Sequence, residues 1–125
     1  MASAQPLTAK QGDTLDMLLK VNVGAYSLEA ANPRHDGDWR VWKEIKLPEG
    51  KILIPGVIGH FTDFIESPEL VADRYLKYAG VCGKENVYGG TDCGIGTRVG
   101  HPALGWAKFR SMRDGAALAS KMAWG

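Results

Sequence analysis

The chain reads as an α/β fold built on a parallel sheet, and three observations predict it. Three apolar, β-like runs (residues 23–30, 51–58 and 86–93) alternate with helical patterns. The second of these runs leads, through a loop, to Ser67-Pro68-Glu69, which has a capping residue, Pro at the first helical position and an acid in the first turn. The third gives way to a glycine-rich turn, Gly89-Gly90-Thr91-Asp92-Cys93-Gly94, before a long helical pattern. Repeated strand–helix order favours parallel strands joined by right-handed crossovers. All strands then end on one face, where folds of this class do their chemistry.

The elements come in this order. Residues 1–11 are small and polar and read as a flexible start. Gly12-Asp13 opens a helix that Asp13 caps, with Leu15, Leu18 and Leu19 at helical spacing and an end near Asn22. Residues 23–30 form a mostly buried strand whose one charge is Glu29. Residues 31–38 (Ala-Asn-Pro-Arg-His-Asp-Gly-Asp) are rich in turn formers, and residues 39–45 form a short helix capped by Asp38. The strand at 51–58 is broken or bulged at Pro55-Gly56. Behind Ser67, Val71, Ala72, Tyr75, Leu76 and Ala79 make an apolar stripe, and Gly80 ends the helix. The last helix starts at His101-Pro102 and runs to Trp124, with Phe109, Met112, Ala116, Ala119 and Ala123 as its core-facing seam.

Composition excludes several classes. With 125 residues, 45% hydrophobic and 23% charged, the chain fits one globular domain able to bury a core. A net charge of +1 and no basic cluster give no electrostatic case for nucleic acid or an anionic membrane. The longest apolar stretch, near residues 52–58, is far too short to span a bilayer. No apolar leader region opens the chain, and two cysteines make no disulfide framework, so the simplest compartment is the reducing cytosol.

The candidate chemistry gathers at the strand ends. A carboxylate closing an apolar strand, Glu29, needs a partner, a metal or water. Cys93 lies where a strand meets a glycine turn; it is either a functional thiolate or a small buried hydrophobe in a tight turn. The loop at residues 59–66 lies on the same face. His35 with Asp36 and Asp38 has metal-binding chemistry but reads first as a solvated loop. Cys82 reads as a packed residue, Arg98 as a surface cation, and Gly94-Ile95-Gly96 does not fit a dinucleotide fingerprint.

Four stretches, taken together, resemble a known family. They are Ser27-Leu28-Glu29-Ala30-Ala31-Asn32-Pro33-Arg34-His35, Ile54-Pro55-Gly56-Val57-Ile58, Glu66-Ser67-Pro68-Glu69-Leu70-Val71-Ala72-Asp73-Arg74 and Gly90-Thr91-Asp92-Cys93-Gly94. In this order and spacing the chain, from residue 12 to its end, is similar to the C-terminal part of the cobalamin-independent methionine synthase-like family. Its short members include epoxyalkane:coenzyme M transferase-like proteins. The resemblance implies a (β/α)8 barrel with a catalytic zinc at its C-terminal face. It implies Glu29 and Cys93 as zinc ligands, a thiol acceptor such as homocysteine, and a methyl donor such as a methylated folate. Thiolate and carboxylate both suit Zn²⁺, which would make the acceptor a nucleophile and orient it. Asp92, beside Cys93, would then either orient a ligand from behind or serve as a turn residue.

The chain departs from the family in two ways. It has no His-x-Cys, the family's other ligand pair. A barrel needs about 200 residues or more, so this length corresponds to the last three strand–helix units of one. The family's proton-donating histidine aligns with Phe61, and a shift of one residue brings His60 to that role. Two readings result: a zinc-dependent thiol methyl- or alkyltransferase domain, or a truncated, non-catalytic homologue that self-associates or docks to a complementing fragment. An open sheet edge favours association. Two ligands alone predict weak zinc binding.

Overall fold

The computed structural model describes residues 9–96 and 99–125. Arg98 and residues 1–8 of the expected flexible start lie outside the described residues. The elements are α1 (Ala9–Leu19), β1 (Ala25–Leu28), β2 (Ile52–Ile58), α2 (Pro68–Cys82), β3 (Gly90–Thr91) and α3 (Pro102–Trp124). Two 3₁₀ turns, Asp38–Lys43 and Lys84–Asn86, complete it. The three strands form a parallel open sheet in the order β1-β2-β3, as the alternation predicts. Among the described residues no helix is long and apolar enough to cross a membrane.

Several boundaries differ from expectation, each for a local reason. The first helix is already running at Ala9, so Asp13 lies inside it rather than capping it. It ends at Leu19, where the Tyr26 hydroxyl reaches back to the carbonyls of Leu19 (3.1 Å) and Val21 (3.0 Å) and ties the helix end to β1. The strand β1 is half exposed rather than mostly buried: Tyr26 faces the core while Ala25 and Ser27 do not, because β1 is an edge. Beyond β1, the expected short helix is a 3₁₀ turn, Asp38–Lys43, and Asp38 makes no capping bond there; its carboxylate pairs with His35.

The α2 start is built as its signature predicts, with Ser67 Oγ accepting from the Leu70 amide at 3.1 Å. The helix runs past Gly80 to Cys82. Gly83, at φ +95°, makes the exit turn instead, a conformation that side chains disfavour.

The third strand is shorter than the expected 86–93. Val87 bridges to Leu53, whose carbonyl accepts the Tyr88 amide at 3.0 Å, and Gly90–Thr91 pairs with β2, with Gly89 as the break between the two pairings. The Gly89 backbone presses against the ring of Tyr75, where a Cβ would overlap the phenol. The register slips between Gly56 and Ile58, at the break that Pro55-Gly56 foreshadows.

The core has two clusters on the sheet. Tyr26, Val41, Trp42, Leu53, Tyr78 and Val87 form one, and Val57, Ile58, Val71, Ile95 and Val99 the other. The α3 seam is rotated from the predicted one. Gly105, Lys108, Ser111, Gly115 and Ala119 are buried, while Phe109 is 41% exposed. The cause is close packing on α2: a Cβ at Gly115 would overlap Val71, so the two backbones meet there and the helix turns Lys108 inward. Lys108 is fully buried and is satisfied by Glu66 Oε1 at 2.9 Å and the Phe64 carbonyl at 2.7 Å.

Candidate metal centre

Parallel strands deliver their C-terminal ends to one rim, and three donor side chains meet there. Glu29 lies just past β1, His60 just past β2 and Cys93 just past β3. One donor atom from each lies within 4.8 Å of the other two, and among the described residues this is the group of three or more acidic, histidine or cysteine side chains with metal-holding geometry. Glu29 is half-buried, Cys93 is exposed and His60 is buried at 3% exposure. Cys93 is therefore not a small hydrophobe packed in its turn.

His60 carries an unusual burden. Its Nδ1 is fully buried and has no hydrogen-bond partner. A buried imidazole nitrogen without a partner loses its water for nothing in return. The Phe61 ring lies over the imidazole at 4.2 Å between centroids and restricts its rotation. A carboxylate, an imidazole and a thiol on three strand ends form a donor set whose chemistry suits zinc. His35, Asp36 and Asp38 do not join this group. His35 Nδ1 pairs with Asp38 Oδ2 at 2.7 Å, and Asp36 lies 3.7 Å from the Arg74 guanidinium.

Two buried carboxylates hold the rim in place. Asp92, next to Cys93, crosses to the end of β1. Its Oδ1 accepts from the amides of Ala30 (2.8 Å) and Ala31 (2.9 Å), and its Oδ2 accepts from the Asn32 side chain (2.9 Å). The carboxylate passes directly over Gly56 of β2, where any Cβ would overlap Oδ1. Asp92 thus links the residue after Glu29 to the residue before Cys93. Glu66 does the same for the histidine loop: its Oε2 accepts from the Gly59 amide at 2.6 Å, and Lys108 and Arg74 neutralise it at 2.9 and 3.6 Å. Gly59 has to be glycine-sized, since a Cβ there would lie 2.9 Å from the Ala31 carbonyl.

Sequence reasoning missed Glu66 and Lys108. The available signal was a lysine between the small residues Gly105 and Ser111, at the helical spacing of the buried face. The other cysteine, Cys82, is half-buried, and burial pushes its thiol up to about 11, so it stays protonated and inert.

No protein-family model matches this chain, and no curated protein matches its sequence. Among solved structures it is similar to a B12-independent methionine synthase from Shewanella sp. W3-18-1 in complex with selenomethionine, with a TM-score of 0.73 and 29% identity. The match covers 86% of this chain and 30% of that one, so the chain spans about a third of its structural neighbour's length.

Proposed function

We infer that this chain is the metal-bearing part of a zinc-dependent thiol methyl- or alkyltransferase of the methionine synthase type. The observation that carries the reading is the convergence of Glu29, His60 and Cys93 within 4.8 Å on one rim, with a buried His60 nitrogen left unpartnered. The likeness to a B12-independent methionine synthase supports the same chemistry. On this reading the three strand–helix units derive from the end of a (β/α)8 barrel. The acceptor is homocysteine or a similar thiol, and the donor is a methylated folate or a related activated methyl.

Glu29, His60 and Cys93 would hold the zinc, with His60 as a third ligand rather than a proton donor. A zinc ion bound there supplies the charge that makes an incoming thiol a thiolate near neutral pH. The chain's own contribution is position. Asp92 and Glu66 hold the ends of β1 and β2 so that the donors need not reorganise on binding. The exposed side of Cys93 leaves an approach for the acceptor. The test is calorimetry of small thiols, homocysteine included, against the zinc-loaded chain in buffers of different ionisation enthalpy. The reading expects about one proton released per thiol bound near neutral pH. Thiol binding without proton release would refute it.

A second reading is favoured by the sheet itself. Both outer strands, β1 and β3, leave an edge unpaired among the described residues, and the chain spans about 30% of its structural neighbour. In this reading the chain completes its sheet with another copy or with a fragment supplying the missing strands, and has no turnover alone. Sedimentation shows which holds: a stable monomer that transfers methyl groups excludes it.

A further inference from the structure

Moving a methyl group off a nitrogen needs an acid. The departing amine is a poor leaving group unless its nitrogen takes a proton as the bond breaks. In the transferase reading His60 is a metal ligand, so the proton has to come from another side chain near the rim. Of the chain's three histidines, His101 is occupied at the start of α3, where its Nδ1 accepts the Ala103 amide at 3.0 Å. The remaining one, His35, is placed differently.

His35 lines a cavity of about 380 Å³ between α1, the end of β1 and the 3₁₀ turn at Asp38–Lys43. That volume is within the range of small-molecule sites, roughly 300–1,000 Å³. The polar lining is Thr14, Glu29, His35, Asp38 and Tyr78, and the rest of the wall is apolar. Glu29 is also a donor of the metal centre, so the cavity and the rim share a wall. A methyl donor lying in the cavity therefore presents its methyl group toward the rim where the acceptor binds.

The lining leaves one group fit to give a proton near neutral pH. The Tyr78 hydroxyl is held well above the usual phenol range, by burial first and then by Asp38 and other negative groups, so it keeps its proton. Thr14 offers an aliphatic hydroxyl, and Glu29 is a donor to the metal. Asp38 Oδ2 accepts from His35 Nδ1 at 2.7 Å. That bond fixes the direction of the imidazole and makes Nε2 the nitrogen that exchanges a proton. The His35 side chain is 31% exposed, so a spent imidazole can reload from water.

We propose that His35 is the acid of the transfer, giving its Nε2 proton to the donor nitrogen as the methyl group leaves, with Asp38 positioning the ring. The acceptor sulfur forms its bond to the methyl carbon and the carbon–nitrogen bond breaks. The electron pair of that bond stays on nitrogen and takes the proton from Nε2, and the neutral imidazole regains one from solvent. This role rests on the transferase reading above and keeps its homocysteine-type acceptor and its methylated-folate donor.

The experiment compares two methyl donors, with homocysteine as acceptor and the zinc-loaded intact chain. One is N5-methyltetrahydrofolate, whose nitrogen has to be protonated. The other is trimethylsulfonium, which leaves as neutral dimethyl sulfide and needs no proton. With the folate, His35→Gln should lose about a hundredfold or more in rate, and with the sulfonium no more than about twofold, since a general acid contributes roughly 10²–10⁴-fold. Asp38→Asn, which turns the ring to the wrong tautomer, should lose rate with the same preference for the folate. Zinc content and proton release on thiol binding should match the wild type in both variants. In the zinc-free chain, tetrahydrofolate should shift the ring-proton NMR signals of His35 and leave those of His101 in place. Equal losses with both donors, no loss with the folate, or no shift at His35 overturns the proposal. Wild-type transfer from the sulfonium alone also overturns it, because the intact chain then has no acid for the nitrogen. No zinc-dependent transfer from either donor overturns the transferase reading itself.

Discussion

Asp92 Oδ1 accepts the Ala30 amide at 2.8 Å across sixty-two positions of sequence, and by this bond the end of β3 holds the end of β1. Glu29 and Cys93 each sit one residue from the bond. Their separation is therefore set by a buried carboxylate, not by the sheet ladder alone, since β1 and β3 are not neighbours.

Removing the clamp should cost both stability and metal. Asp92→Ala leaves the Ala30 and Ala31 amides without their acceptor, a loss on the order of 1–3 kcal/mol for each buried unsatisfied group. Metal affinity should fall about 10–100-fold, the usual cost of losing a partner behind the ligands. Urea unfolding and chelator competition measure the two effects.

Gly56 and Asp92 should behave as a coupled pair. Gly56→Ala pushes a methyl group into Oδ1 and should destabilise by about 1–3 kcal/mol, as overpacking does. In Gly56→Ala combined with Asp92→Ala the methyl has room, so the two losses should not add. A double-mutant cycle with no interaction energy would contradict the crossing of Asp92 over Gly56.

The buried pair Glu66–Lys108 should be costly to break and cheap to replace. Lys108→Met alone leaves the Glu66 carboxylate without its nearer cation and should cost about 3–5 kcal/mol, whereas Lys108→Met with Glu66→Gln should recover much of that. The same single change loosens the Gly59 amide bond and with it the His60 loop. Thermal unfolding of the three variants checks this.

The two thiols should respond differently to pH and to alkylation. The Cys82 thiol is raised from 9.0 to about 11 in the folded chain. The folded state thus holds its proton more tightly than the unfolded one. The stability this gives is fully present below about pH 9 and is lost as pH rises toward 11. Cys82→Ala should flatten that alkaline decline. With iodoacetamide at neutral pH, exposed Cys93 should label first and Cys82 only on unfolding, a difference that peptide mass spectrometry reads directly.

Much of the architecture was legible because it rests on local signals. Ser67-Pro68 starts α2 where its capping chemistry says, and the alternation of strands with helices predicts the parallel sheet. Glu29 and Cys93 stood out as polar residues at the ends of apolar runs, and parallel topology sends such ends to one rim; His60 came forward only through the family resemblance, as a proton donor one residue from the aligned position. The illegible part is long-range. Nothing near Asp92 in sequence shows that its carboxylate lies over Gly56 and reaches Ala30. The inward turn of Lys108 depends on Gly115 meeting Val71, a fact of helix packing that hydrophobic spacing misassigned to Phe109. The helix end at Cys82 rather than Gly80 turned on which glycine took the positive φ.

The central claim is that Glu29, His60 and Cys93 together bind one metal ion. Its most direct test is zinc content after dialysis, measured for the wild type and for Glu29→Gln, His60→Ala and Cys93→Ser, each checked for folding by circular dichroism. The account predicts about one zinc per wild-type chain, as expected for a three-ligand site with one open position, and loss of most of it in each variant. Zinc bound in equal amount by the wild type and by Cys93→Ser, or no zinc retained by the folded wild type, would contradict it.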